Sequence, residues 1–319
     1  MRNSRHRNDA RLSRTGFTVT ELVVVVAIIG LIIALIIPTI GKVRSKSRTL
    51  KCLTNQRSIT MANYAYATSN QSRFASPRTD TDGTLNVNGE NVFGSPNCWV
   101  KTNGNLAPGN AFEYPAALEA GSLYPYIGDV KTYVSPDEPT NPLASNISNT
   151  STRVRSYSMN ALLGSTRPDE LPEFDAAFTS TMYGVAPQLS QYNSTTIGTI
   201  KSPQRMMATI VEDDSVAYNN EGWLILPQMA SWIDWPAPWR PDAITFSYVD
   251  GSTDSYELAN KSLATKWELY GHRWVQPNET TVDENGQTTG SILPPDWKFF
   301  RDRLNPGVIP NSTYMFGGN

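Results

Sequence analysis

Cysteine and histidine are almost missing from this chain of 319 residues: Cys52, Cys98, His6 and His272 are the whole supply. Zinc sites built on paired Cys-x-x-Cys ligands are therefore excluded. A Ser-His-Asp or Cys-His catalyst would have to use His272, because His6 falls in a basic N-terminal stretch, and no Gly-x-Ser-x-Gly elbow flanks any serine. A non-enzymatic protein is expected. Neither a Walker-type nor a dinucleotide-type glycine loop occurs, so any ATP-driven step would need a partner. Outside the first sixteen residues no stretch carries the basic footprint of a nucleic-acid binder, and no internal repeat is present.

What the chain does have is apolar residues in ordinary proportion (39%), with 22 Pro and 21 Gly that point to many turns and short strands. The length suits a membrane segment plus one large globular domain. The formal net charge of −2 hides an asymmetry: Arg2, Arg5, Arg7, Arg11 and Arg14 stand against Asp9 alone in the first sixteen residues. Without them the remainder (27 − 5 basic, 29 − 1 acidic) carries −6. The body is mildly acidic and the tip basic.

From Leu22 to Ile37 the chain reads LVVVVAIIGLIIALII, an unbroken apolar run. With Phe17, Val19 and the residues just after Pro38 it reaches the roughly 20 residues a helix needs to cross a hydrocarbon core. Arginines before the run place the amino end in the cytoplasm and the bulk of the chain outside. No small-x-small cleavage site follows the run, so this is not an ordinary secretory signal. Glu21 is the anomaly, since a carboxylate left unpaired at mid-bilayer costs about 2.5–3.5 kcal/mol. Snorkelling to the headgroups from the end of the run is the plain alternative.

Arg14-Thr15-Gly16-Phe17-Thr18-Val19-Thr20-Glu21-Leu22 resembles the type IV prepilin motif of pilin-like proteins and type II secretion pseudopilins. The resemblance implies a leader (residues 1–16) removed after Gly16 by a membrane prepilin peptidase, with methylation of the new amino group of Phe17. It also implies a helix bend at Pro38, and other pilin-like subunits, an assembly platform protein and a cytoplasmic ATPase as partners. In that family's logic Glu21 sets the register between subunits: its carboxylate would pair with a neighbour's Phe17 amino group and gain in the fibre what the monomer leaves unpaired. The implied location is the inner membrane, single-pass, with a periplasmic domain, or a fibre built from there. The alternative is a membrane-tethered extracytoplasmic binding module that never polymerises.

Residues 17–40 thus read as the transmembrane helix and 41–70 as its soluble continuation. From the end of the former through the latter, Ile40, Val43, Leu50, Leu53, Met61 and Tyr64 recur at helical spacing and are expected to pack against the domain. Turn-rich sequence follows, then a helix near Ala111–Leu118 and short ordered segments at Leu123–Tyr126 and Lys131–Val134. Strands are expected at Ser156–Met159, Met206–Glu212, Gly222–Leu226, Ala243–Val249 and Thr253–Glu257. The fold class is α+β: a long N-terminal helix packed on an antiparallel sheet, with the globular domain at 71–258 and a C-terminal extension at 259–319.

LYPYIGDVKTYVSPDEP, SYSMN, IKSPQRMMATIVEDD and ITFSYVDGSTDSYEL follow in the order seen in large pseudopilin-like proteins of planctomycete and verrucomicrobial type. The last resembles their C-terminal Asp-Gly hairpin, turning at Asp250-Gly251. Departures are Ser135, where many relatives carry Cys, and Trp239-Arg240-Pro241, where many carry His.

Three further features stay open. Cys52 and Cys98 fit a disulfide outside the cytoplasm or two free thiols. No cofactor is called for, although Asp213 and Asp214, after Glu212 and with Asp250 or Asp254, have the hard oxygens calcium prefers, against a plain solvated turn. Trp223, Trp232, Trp235 and Trp239 suit either a recognition groove or core packing.

Overall fold

The computed structural model describes residues 17–78, 84–87, 90–93, 97–101, 115–138, 155–164, 192–212, 222–226, 231–232, 234–237, 239–240, 243–259, 279–282, 288–292 and 295–309. In chain order its helices are α1 (Val19–Ser69), α2 (Pro115–Glu119), α3 (Tyr124–Ile127) and α4 (Pro295–Leu304), with a 3-10 turn at Val130–Tyr133. Its strands are β1 (Thr84–Val87), β2 (Glu90–Phe93), β3 (Tyr157–Met159), β4 (Met207–Val211), β5 (Ile225–Leu226), β6 (Ser231–Trp232), β7 (Ile244–Tyr248), β8 (Thr253–Tyr256), β9 (Glu279–Val282) and β10 (Thr288–Ile292). The chain divides into two units, residues 1–47 and 48–319. A long apolar helix with a four-stranded antiparallel sheet makes this an α+β protein.

In the second unit the sheet runs β3-β4-β7-β8, every pair antiparallel. Alternation along β7 sorts its side chains: Thr245 and Ser247 point to one face, Ile244 and Phe246 to the other. The first face takes the second half of α1. Gln56 donates to Thr245 Oγ1 (2.7 Å) and accepts from Thr209 Oγ1 (3.1 Å), while the Thr60 hydroxyl meets that of Ser247 at 2.7 Å. Asn55 donates to the Val134 carbonyl at 3.0 Å, and Asn63 accepts from the Ala75 amide at 2.8 Å. The helix is held on the sheet largely by buried hydrogen bonds.

That corrects the expected helix surface in part. Leu53 and Tyr64 are half-buried, Tyr64 against Phe74 at 5.3 Å, but Leu50 is 64% and Met61 48% exposed, whereas Cys52, Asn55, Gln56, Ile59, Thr60, Ala62, Asn63 and Ala67 are buried. The buried stripe has the required spacing of three and four, but apart from Ile59 it is made of small and polar side chains. A sheet face lined with Thr and Ser can satisfy them, and a Leu-rich stripe would leave those hydroxyls without partners.

The opposite face of the sheet is aromatic. Phe246 lies 5.8 Å from Phe299 and 6.3 Å from Phe300 of α4, Trp223 lies 5.6 Å from Phe300, and Tyr256 stacks on Phe299 at 3.8 Å. Trp297, Phe300 and Leu304 are fully buried in the main core. The segment set apart from the domain at 259–319 therefore supplies one of its layers. α1 covers the sheet on one side and α4 on the other over β3, β4 and β7, while Asp254 and Ser255 of the edge strand β8 are exposed. Asp296, in the first turn of α4, accepts from Tyr256 Oη (2.8 Å) and the Ala259 amide (2.7 Å), tying that helix to the end of β8.

The β7–β8 hairpin turns at Asp250-Gly251 as the sequence predicts. Gly251 has φ +85°, a region that a side chain disfavours, and Asp250 Oδ1 accepts from both the amide (2.9 Å) and the hydroxyl (2.6 Å) of Ser252. The helix expected near 111–118 is seen as Pro115–Glu119, residues 111–114 lying outside the described set.

Candidate functional site

The candidate site is the start of α1. Phe17 precedes the helix and is 79% exposed. Thr18 is its N-cap: the Glu21 amide donates to Thr18 Oγ1 at 3.3 Å, and Glu21 Oε2 accepts from the Thr18 amide (2.9 Å) and hydroxyl (2.7 Å). This reciprocal pairing over Thr-x-x-Glu is a capping box, which satisfies two backbone donors that every helix start leaves open. Glu21 is thus hydrogen-bonded within its own helix start, with no cationic partner among the described residues. One oxygen is engaged within its own chain, and Oε1 has no hydrogen bond among the described residues. The motif was readable in the sequence, where Thr18 stood three residues before the glutamate.

Behind the cap, α1 continues through Pro38 to Ser69 as a single element. Proline has no N–H, so the Ala34 carbonyl lacks its helical donor there. The Thr39 hydroxyl donates to the Ile36 carbonyl at 2.7 Å beside that gap. One helix near the N-terminus is therefore long and apolar enough to cross a membrane. Leu22 to Ile40 at 1.5 Å per residue rises about 28 Å, close to the roughly 30 Å of a hydrocarbon core.

Fifteen large apolar side chains between Phe17 and Ile37 are exposed, on all sides of the helix. Covering each one removes an unfavourable water contact worth about 1.5–3 kcal/mol, so the segment as a whole stands to gain tens of kcal/mol from lipid or from other apolar helices. Its chemistry is that of a surface to be buried, with one carboxylate at its edge.

Gly16 lies outside the described residues, as do Asp213 and Asp214. Of the oxygen ligands considered for calcium, Asp250 is occupied by its own turn, and Glu212 accepts from the Ser158 hydroxyl. Among the described residues there is no cluster of three His, Cys, Asp or Glu side chains able to hold a metal.

The two cysteines are separate free thiols, so the bridge considered for them is not formed. Cys52 sits against Ser135, Sγ to Oγ 3.1 Å, and Cys98 lies near Tyr66. Fourteen helical residues separate Cys52 from Tyr66, about 21 Å along the axis, far beyond the reach of a disulfide. Burial pushes the Cys52 thiol up from its ordinary pKa and keeps it protonated at neutral pH.

Trp223 and Trp235 are buried in the main core and Trp239 is half-buried against it, so these three do not line an open groove. Around Cys52, Asp137 is paired with Arg48 (3.2 Å) and Arg240 (3.6 Å), which ties the Ser135-Pro136-Asp137 turn to the helix. A buried cation, Arg155, donates to Ser158 Oγ at 3.0 Å and lies 5.1 Å from the centre of the Trp99 ring. Both arrangements brace the domain. No family model, curated protein or solved structure matches the chain.

Proposed function

We propose that the chain is a pilin-like structural subunit, a pseudopilin, of a type II secretion or type IV pilus-like system. The observation that carries the reading is the first part of α1: an apolar helix uncovered around its circumference, headed by a carboxylate that keeps one oxygen open. A prepilin peptidase would cut after Gly16, and Phe17 would then carry the new, methylated amino group. The subunit would wait in the inner membrane on residues 17–40, with the large domain in the periplasm. A cytoplasmic ATPase and a platform protein would then move it into a fibre.

In the bundle, Glu21 Oε1 would accept from a neighbour's Phe17 ammonium while Oε2 keeps the cap. The helix surface would exchange lipid for other helices, and the charge pair would fix their stagger, since a mismatched register leaves both charges unpaired in a medium of low dielectric. Mass measurement of the mature amino terminus tests the processing step: N-methyl-Phe17 is expected, and an intact Met1 defeats the proposal.

Glu21→Gln tests assembly, because glutamine retains a capping box but carries no charge. The variant is expected to insert in the membrane and fail to cross-link to neighbouring subunits, while Thr18→Ala, which removes the cap and leaves the charge, still assembles. Normal assembly by Glu21→Gln would remove the charge pair as the basis of the register, and a native chain that inserts without ever cross-linking to a neighbour would leave only the membrane-tethered reading.

A further inference from the structure

Beyond the apolar run the charge of α1 is entirely of one sign. From Leu22 to Ser69 the helix holds no Asp or Glu, and its first charged residues after the run are Lys42, Arg44 and Lys46. All three are exposed, and no side-chain hydrogen bond or ion pair joins them to another described residue. We infer that Lys42, Arg44 and Lys46 form a collar that binds anionic phospholipid headgroups on the side of the membrane where α1 emerges. The inference rests on the membrane-spanning reading above.

Position is the first argument. Lys42 and Lys46 stand two and six residues after Ile40, a rise of about 3 and 9 Å. The headgroup layer is about 5–7 Å deep and the screening length at physiological salt about 8 Å, so each charge lies within reach of lipid phosphates. Long Lys and Arg stems can lie along the apolar helix while their heads stay among the headgroups.

Direction is the second. At 100° per residue Lys46 lies about 40° around the helix from Lys42, and Arg44 about 160° from each. The surface of one protein partner would meet one side of the helix and leave the opposite charge unused. Headgroups surround an emerging helix and meet all three. Sign is the third: with no carboxylate in this stretch, nothing offers a partner to the amine of a zwitterionic headgroup, whereas each cation gains from a net anionic one. Loss of the leader would also remove the arginines on the far side, making the mature helix one-sided in charge.

A basic residue next to an anionic surface is worth about a fivefold local preference for anionic lipid. Shared among the many lipids that ring a helix, three such residues should give an enrichment of roughly three- to tenfold in the lipid that stays bound.

The test uses the full chain and its Lys42→Gln/Arg44→Gln/Lys46→Gln variant, each reconstituted in phosphatidylcholine vesicles with a minor share of phosphatidylglycerol. Each is extracted in mild detergent and its bound lipid measured by mass spectrometry. The expected result is phosphatidylglycerol enrichment with the native chain, reduced by raised salt, and bulk composition with the triple variant, both proteins resisting carbonate extraction. Equal lipid ratios for two proteins that both resist extraction would overturn the collar and leave the membrane reading standing. Release of the native chain by carbonate would overturn both. Loss of subunit cross-linking by the variant with an unchanged lipid ratio would also overturn the collar, assigning the charges to an acidic surface on a neighbouring subunit.

Discussion

Replacing Gln56 is the sharpest probe of how the domain holds its helix. The side chain is fully buried and makes two hydrogen bonds, to Thr245 Oγ1 at 2.7 Å and from Thr209 Oγ1 at 3.1 Å. Gln56→Met keeps the length and removes both. Thr209 retains the Ser247 hydroxyl at 2.6 Å, but Thr245 loses the hydrogen bond that anchors it to the helix. Two bonds at about 0.5–1.5 kcal/mol each, with one buried hydroxyl stranded, predict a loss of about 2–3 kcal/mol. Gln56→Ala adds an unfilled space and should lose about 1 kcal/mol more.

The decisive variant is the triple one, Gln56→Met with Thr209→Val and Thr245→Val. Replacing both partners of a buried polar pair by apolar groups of similar shape is nearly neutral, so most of the lost stability should return. Urea unfolding of the full chain in a mild nonionic detergent, followed by tryptophan fluorescence, measures all three. An unmoved midpoint for Gln56→Met, or a triple variant weaker than the single one, would refute a helix bonded to the sheet through polar side chains.

Two other substitutions probe the same unit. Ser135→Cys should form a disulfide with Cys52, whose sulfur is 3.1 Å from the serine oxygen across 83 residues of sequence; peptide mapping under non-reducing conditions should find it, with stability raised by about 2–4 kcal/mol, and a reduced pair after oxidation would count against that contact. Gly251→Ala should lower stability by about 1–2 kcal/mol, since φ is +85° and the new methyl group would meet the Met61 sulfur at 2.7 Å; an unchanged unfolding midpoint would argue against the turn described.

The strands were legible where the signal is local. Residues 206–212 and 243–249 are runs rich in β-formers, and Asp250-Gly251 supplies the positive φ of the β7–β8 turn, so β4, β7 and β8 fall inside the expected spans. The buried face of α1 was not legible, because periodicity was sought among Leu, Val and Met. Of those, Leu50 and Met61 are largely exposed and Leu53 is half-buried, while the helix fully buries Asn55, Gln56, Thr60 and Asn63. Nothing in the helix alone says that the opposing sheet will offer hydroxyls. That information lies nearly two hundred residues away, at Thr245 and Ser247.

The C-terminal helix is a different case, for its signals were present. Pro295 and Asp296 mark a helix start, Trp297, Phe300 and Leu304 recur at three and four, and Arg301 and Arg303 close the last turn. The third layer of the core was therefore written in the segment read as a C-terminal extension.

The capping box changes what Glu21 can be asked to explain. A cap is worth about 0.5–2 kcal/mol to a helix start, enough to account for a carboxylate at this position without any neighbouring subunit. Capping alone, however, does not require charge, since Gln serves equally at the third helical position. Nor does it require an amino group one residue before the N-cap, which is where processing after Gly16 would put Phe17. That ammonium would stand at the positive end of its own helix, where the aligned peptide dipoles disfavour a cation. Its own Glu21 already gives one oxygen to the cap. A second carboxylate, from the next subunit, would relieve the ammonium, and the open Oε1 of each Glu21 is the atom available to do it. The cap thus holds the carboxylate still, and charge is what an assembled bundle would use.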